Sequence, residues 1–170
     1  VVWTTCMVFF QFVLLLGYAY SHWITSRVDS PRQNWIHVGL LVASLAFLPI
    51  LPAESWNPAG DENPVARILL LLFATVGLPY FLLSSTSPLI QAWFAREFPG
   101  SSPYRLFAPS NLASMLALLG YPFLFEPWLA SPDQSWAWSG GYALFVAVCA
   151  ALAWRSHALP PIERAAPSAE

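Results

Sequence analysis

Five long apolar stretches, separated by connections in which arginine recurs on alternate loops, constrain this chain more than any other feature. A helix needs about 20 mainly apolar residues to cross a bilayer. The stretches run from about Val1 to Ile24, Trp35 to Leu51, Val65 to Phe94, Leu106 to Leu129 and Trp136 to Trp154. Only 9% of the residues are charged and 57% are hydrophobic, whereas soluble domains carry about 25% charged residues. That is too little charge to cover a water-facing surface, so lipid must be the solvent for much of the chain. Hydrocarbon offers backbone groups no water, and the stretches lack the alternation of barrel strands, so they are expected to be helices. The expected fold is all-α: a polytopic membrane helix bundle of about five transmembrane helices over residues 1–157. A flexible cytoplasmic tail, rich in proline and alanine, follows over 158–170.

The arginines set a direction. Arg27 and Arg32 lie in the first connection, Arg96 and Arg105 in the third, and Arg155 and Arg164 beyond the fifth stretch. The second connection carries Glu54, Asp61 and Glu62 but no arginine, and the fourth carries none either. Arginine-bearing loops stay in the cytoplasm, which predicts an N-out, C-in integral membrane protein. Arg67 dissents, at the outer end of the third stretch. An odd number of crossings with this orientation suits a chain from which a first helix is missing upstream or whose N-terminus is processed. Eight tryptophans (Trp3, Trp23, Trp35, Trp93, Trp128, Trp136, Trp138 and Trp154) fall near predicted span ends. Interfacial indoles are half dry with a hydrogen-bonded N–H. His22 and His37 flank the first arginine-bearing loop and are read as interfacial too.

Polar residues inside the stretches are the candidate intramembrane sites. The third stretch, at roughly thirty residues and about 45 Å, exceeds the 30 Å or so of hydrocarbon. Pro79 and Pro88 are expected to bend or unwind it. Ser84, Ser85, Thr86 and Ser87 are expected to face protein, with Gln91 one turn on. Asn111 enters the fourth stretch from the side on which Ser84–Gln91 leaves, so these groups are expected at similar depth. Gln11 lies mid-span and is expected to face protein. An outer ion pair between Arg67 and Glu126 would ease the placement of Arg67 at the hydrocarbon edge. Rows of small residues four apart (Ser110 and Ser114; Ala113 and Ala117; Ala143, Ala147 and Ala151) allow helix backbones to approach closely.

No catalytic constellation accompanies these groups. The serines have no base at a suitable spacing, and no HExxH, dicarboxylate pair or cysteine–histidine cluster is present. Cys6 and Cys149 sit within apolar stretches as small hydrophobes. The basic residues form no patch, which argues against nucleic acid as a partner. No cofactor and no metal is expected.

Several short runs resemble the membrane portion of bacterial spermidine synthase-like multipass proteins. They include Val2-Trp3-Thr4-Thr5-Cys6, Phe9-Phe10-Gln11, and Gly17-Tyr18-Ala19-Tyr20-Ser21-His22. Gly77-Leu78-Pro79, Ser84 to Leu89, and Gln91-Ala92-Trp93-Phe94 continue the likeness. So do Pro103-Tyr104, Ser110 to Ser114, Gly120-Tyr121-Pro122 and Glu126-Pro127. The resemblance spans nearly the whole chain. It implies a membrane region loosely similar to half of a major facilitator transporter, which in that family often precedes an aminopropyltransferase-like domain. Nothing here reads as the strand, glycine-rich loop and helix of such a domain. The expectation is therefore a non-catalytic membrane scaffold or anchoring subunit, embedded in lipid and joined to other membrane protein subunits. The alternatives are an accessory structural subunit of a respiratory or photosynthetic complex, or a half-transporter for a small solute.

Overall fold

The computed structural model describes residues 1–51, 63–98, 100 and 107–158. Every regular element among them is helical: α1 (Val2–Arg27), α2 (Ser30–Ser44), α3 (Pro64–Leu72), α4 (Leu78–Glu97), α5 (Phe107–Gly120) and α6 (Ser131–Ala158). Four segments have the length and apolarity to cross a membrane: Val2–Arg27, Pro64–Arg96, Phe107–Phe125 and Ser131–Trp154. The chain is thus a multipass membrane helix bundle.

The second stretch departs from its expected bounds. Its helix starts at Ser30, with Pro31 in the first turn where a missing N–H costs nothing. After Ser44 it tightens into a 3₁₀ turn over Leu45–Phe47, and Leu48 leaves the helical region ahead of Pro49. At 1.5 Å per residue the α-helical part covers only about 22 Å. It survives at that length because its inward row is held by hydrogen bonds.

The third stretch is one helical run with a local widening. Asn63 caps α3, its Oδ1 accepting from the N–H groups of Val65 (3.0 Å) and Ala66 (3.4 Å). A π turn over Phe73–Gly77 then joins α3 to α4. This corrects the expected break between the two prolines. The irregularity falls just before Pro79, where a wider turn relieves the clash between its ring and the carbonyl four residues back. Pro88 is carried inside α4 without interruption. Pro122 likewise sits in a π turn, Tyr121–Phe125, at the end of α5.

Contacts fix the helix directions. Phe10 packs on Tyr80, and Gly17 faces Ser84, so α1 and α4 run parallel. Leu41 of α2 meets Leu82, Tyr142 and Val146 in the buried core, and Trp35 touches Trp154. With Gln33 bonded to Trp93, α2 runs antiparallel to α4 and α6. The C-terminal ends of α1, α4 and α6 therefore gather with the start of α2, bringing Arg27, Arg32 and Arg96 to one end of the bundle. Alternate arginine-bearing connections at one end are what the sequence pattern requires.

Each helix buries one stripe. In α1 it is Thr5, Phe9, Val13, Gly17, Ser21 and Ile24, and in α6 it includes Ser139, Tyr142, Val146 and Ala153. These rows repeat every three or four residues, the spacing of one helix face. The stretch of α5 through Phe125 buries none of its residues against the rest of the chain.

Candidate functional site

A polar seam runs between α1, α2 and α4. It begins at the arginine end with Gln33, the first buried residue of α2. Its Oε1 accepts from Trp93 Nε1 (3.0 Å) and Arg96 Nη1 (3.2 Å), and its Nε2 donates to the Val28 carbonyl. Arg96 Nη2 also donates to the Thr25 carbonyl at 2.9 Å, in the last turn of α1. That turn is the negative end of the helix dipole, so a guanidinium is well placed there. One glutamine and one arginine tie the ends of three helices.

One turn deeper, His37 is 1% exposed, and its Nε2 lies 2.8 Å from Thr86 Oγ1. Thr86 Oγ1 also donates to the Leu82 carbonyl at 2.6 Å. A hydroxyl has one proton. Because that proton goes to Leu82, His37 Nε2 must be the donor to Thr86. The histidine is therefore the Nε2–H tautomer, with a bare lone pair at Nδ1. Tyr20 and Trp93 flank the imidazole, with ring centroids at 6.0 Å and 6.4 Å.

Deeper again, Gly17 and Ser21 bring α1 against α4. Ser21 Oγ lies 2.8 Å from both the Gly17 and the Ser85 carbonyl, so its proton is shared between them. Pro88 lacks the N–H that would reach the neighbouring Ser84 carbonyl, so the incoming hydroxyl lands where α4 is short of donors. The last tie is Ser44 to Tyr142. Ser44 Oγ donates to the Leu41 carbonyl, so the tyrosine hydroxyl donates to Ser44 at 2.6 Å.

The predicted site residues divide sharply. Ser85 and Thr86 are buried, Ser84 is half-buried against Gly17, and Ser87 is exposed. The hydroxyls of Ser84, Ser85 and Thr86 donate to carbonyls of their own helix, at Phe81, Leu82 and Leu82. Gln91 reaches only Ser87, at 3.4 Å. Asn111 does not join them: it is exposed on α5, away from α4. Gln11 is exposed as well, because it lies about 200° around α1 from the buried Phe9. The expected Arg67–Glu126 pair is not among the ion pairs of the described residues, and Glu126 is exposed just past the π turn that ends α5.

The small-residue rows divide in the same way. Ser110, Ser114, Ala113, Ala117, Ala143, Ala147 and Ala151 are all exposed. The close approach is made instead by Gly17 and Ser21, a small-xxx-small pair on α1. His37 is a core residue, not an interfacial one. Trp93 is half-buried within the seam, whereas Trp3, Trp23, Trp128, Trp136 and Trp154 remain well exposed. Helix α6 takes in Ala158, the first residue of the expected tail; Trp56, Arg105, the acidic residues of the second connection and residues 159–170 lie outside the described residues.

No family model, curated protein or solved structure matches this chain. Among the described residues no group of three or more histidine, cysteine or acidic side chains is placed to hold a metal ion. Between the far ends of α5 and α6 lies an apolar cavity of about 570 Å³, lined in part by Val76, Ala117, Phe125 and Trp138. Tyr121 and Gln134 bridge its rim, the tyrosine hydroxyl donating to Gln134 Oε1 at 2.9 Å.

Proposed function

We infer that this chain is a non-catalytic membrane scaffold, an anchoring subunit of the bacterial cytoplasmic membrane that docks other membrane proteins through α5. One observation carries the reading. Hydrogen bonds of the seam tie α1, α2 and α4 together, whereas the stretch of α5 through Phe125 buries none of its residues against the rest of the chain. Apolar exposure alone suits lipid. Asn111 does not, because an amide in hydrocarbon seeks an interhelical partner, and among the described residues it has none. Ser110, Ser114 and Ala117 on the same helix are small enough for a second helix to approach closely.

The resemblance of its short runs to spermidine synthase-like membrane regions suits an origin as the anchoring part of such a protein. The exposed helix equally suits an accessory structural subunit of a respiratory or photosynthetic complex. A half-transporter draws less support, because α4 is continuous and its hydroxyls bond their own backbone. Purification from native membranes in mild detergent tests the reading. A scaffold travels with defined membrane proteins in fixed ratio, and cofactor-bearing subunits among them favour the bioenergetic assignment. A monodisperse chain that leaves the membrane with lipid alone contradicts it.

A further inference from the structure

The seam is hydrogen-bonded at Gln33, Thr86, Ser21 and Ser44, but three buried side-chain atoms of the described residues have no hydrogen-bond partner, Asn34 Oδ1, Tyr20 Oη and His37 Nδ1, and the last two belong to stacked rings. Their needs are complementary. The bond from His37 Nε2–H to Thr86 leaves Nδ1 as an acceptor without a donor. The Tyr20 hydroxyl is a donor without an acceptor. The two rings stack at 29° with centroids 6.0 Å apart, and no direct bond joins the two atoms. Phe81 also packs on Tyr20 with centroids 5.4 Å apart, and Trp93 meets His37 edge-on at 6.4 Å. His37 is 1% exposed, and the Tyr20 hydroxyl is buried although its ring is partly exposed.

A buried amide or hydroxyl left unmatched costs roughly 1–3 kcal/mol, and native interiors meet such needs with ordered water. We propose that Tyr20 and His37 form an internal binding site for a small neutral molecule that accepts one hydrogen bond and donates another. Water has that chemistry. It accepts from Tyr20 Oη–H and donates to His37 Nδ1, completing a chain from Tyr20 through water and imidazole to Thr86 and the Leu82 carbonyl. The site joins α1 to α2, two helices that the seam otherwise connects mainly through α4. The inference is independent of what docks on α5.

The test uses the full chain in phosphatidylcholine nanodiscs with ¹⁵N-labelled histidine. His22→Gln and His157→Gln leave His37 as the single reporter. The expected spectrum shows the Nε2–H tautomer, a hydrogen-bonded Nδ1, and magnetisation transfer from water to the ring. Tyr20→Phe removes the hydroxyl with little change of shape. It should shift the Nδ1 resonance, weaken the transfer and lower the melting temperature by a few degrees. An Nδ1–H tautomer, absence of transfer in the parent, or a Tyr20→Phe spectrum and melting temperature equal to the parent's would overturn the proposal.

Discussion

Replacing Gly17 by alanine probes the tightest helix contact in the structure. A methyl group there would sit 2.2 Å from Ser84 Oγ, 3.2 Å from Ser84 Cβ and 3.2 Å from the Ser85 backbone nitrogen. Carbon contacts are comfortable at about 3.5–4.0 Å. Rotation of Ser84 removes the first clash, but it gives up that hydroxyl's 2.8 Å bond to the Phe81 carbonyl. The other two contacts yield only if α1 and α4 move apart by a few tenths of an ångström. The Ser21–Ser85 bond lies one turn along the same contact and lengthens with that movement.

Overpacking of this kind costs about 1–3 kcal/mol, and a weakened hydrogen bond adds about 0.5–1.5 kcal/mol. Alanine returns up to about 1 kcal/mol through helix propensity. Gly39, on the exposed face of α2, supplies the control: a methyl group there meets nothing within 4 Å. Gly39→Ala keeps the propensity gain and lacks the clash, so the two variants should differ by about 2–4 kcal/mol. For a chain of this size that is roughly 4–16 °C in melting temperature, measured by tryptophan fluorescence in detergent. Ser84→Gly in the Gly17→Ala background should recover part of the loss. Equal melting temperatures for the two alanine variants would refute the close-approach argument.

Two further outcomes follow from the seam and from the arginines. Gln33→Leu strips the acceptor from both Trp93 and Arg96 and should cost about 2–3 kcal/mol in thermal unfolding. Trp93→Phe removes one donor and should cost about 1 kcal/mol. In a chain with Cys6 and Cys149 replaced by serine, an impermeant thiol reagent applied from outside should label Asp61→Cys and spare Ser30→Cys. The reverse labelling would invert the orientation.

The sequence was most legible where solvent decides the outcome. Apolar length marked the membrane helices, and the alternation of arginine anticipated the convergence of Arg27, Arg32 and Arg96 at one end. Of the hydroxyl run Ser84–Ser87, Ser85 and Thr86 are buried and Ser87 is exposed, so the run marks the helix but not the face. The seam itself was hidden, because its members look like end residues when read singly. Gln33, His37, Leu41 and Ser44 share one face of α2 at helical spacing, and that polar row was the signal that could have found it. Instead, apolarity placed the span too late, at Trp35, and left His37 at its margin. Arg96 read as a topological charge although it also clasps two helices. Small-residue rows recur regularly on α5 and α6, but the close approach falls at the Gly17–Ser21 pair. Which small row meets a partner is decided by the packing of whole helices, and that packing is not local. The same holds for Gln11 and Asn111: mid-span polarity says that a partner is needed, not that this chain provides it.

The docking of α5 is tested most directly by photo-crosslinking in native membranes. Leu118 lies seven residues from Asn111 and shares its face, whereas Leu116 points about 140° away. Both are well exposed, at 76% and 59%. A photoreactive residue at 118 should capture a discrete membrane protein, and Asn111→Leu should abolish the adduct. The same group at 116 should yield lipid adducts. Lipid adducts at both positions, or protein adducts indifferent to Asn111, would contradict a scaffold that binds through α5.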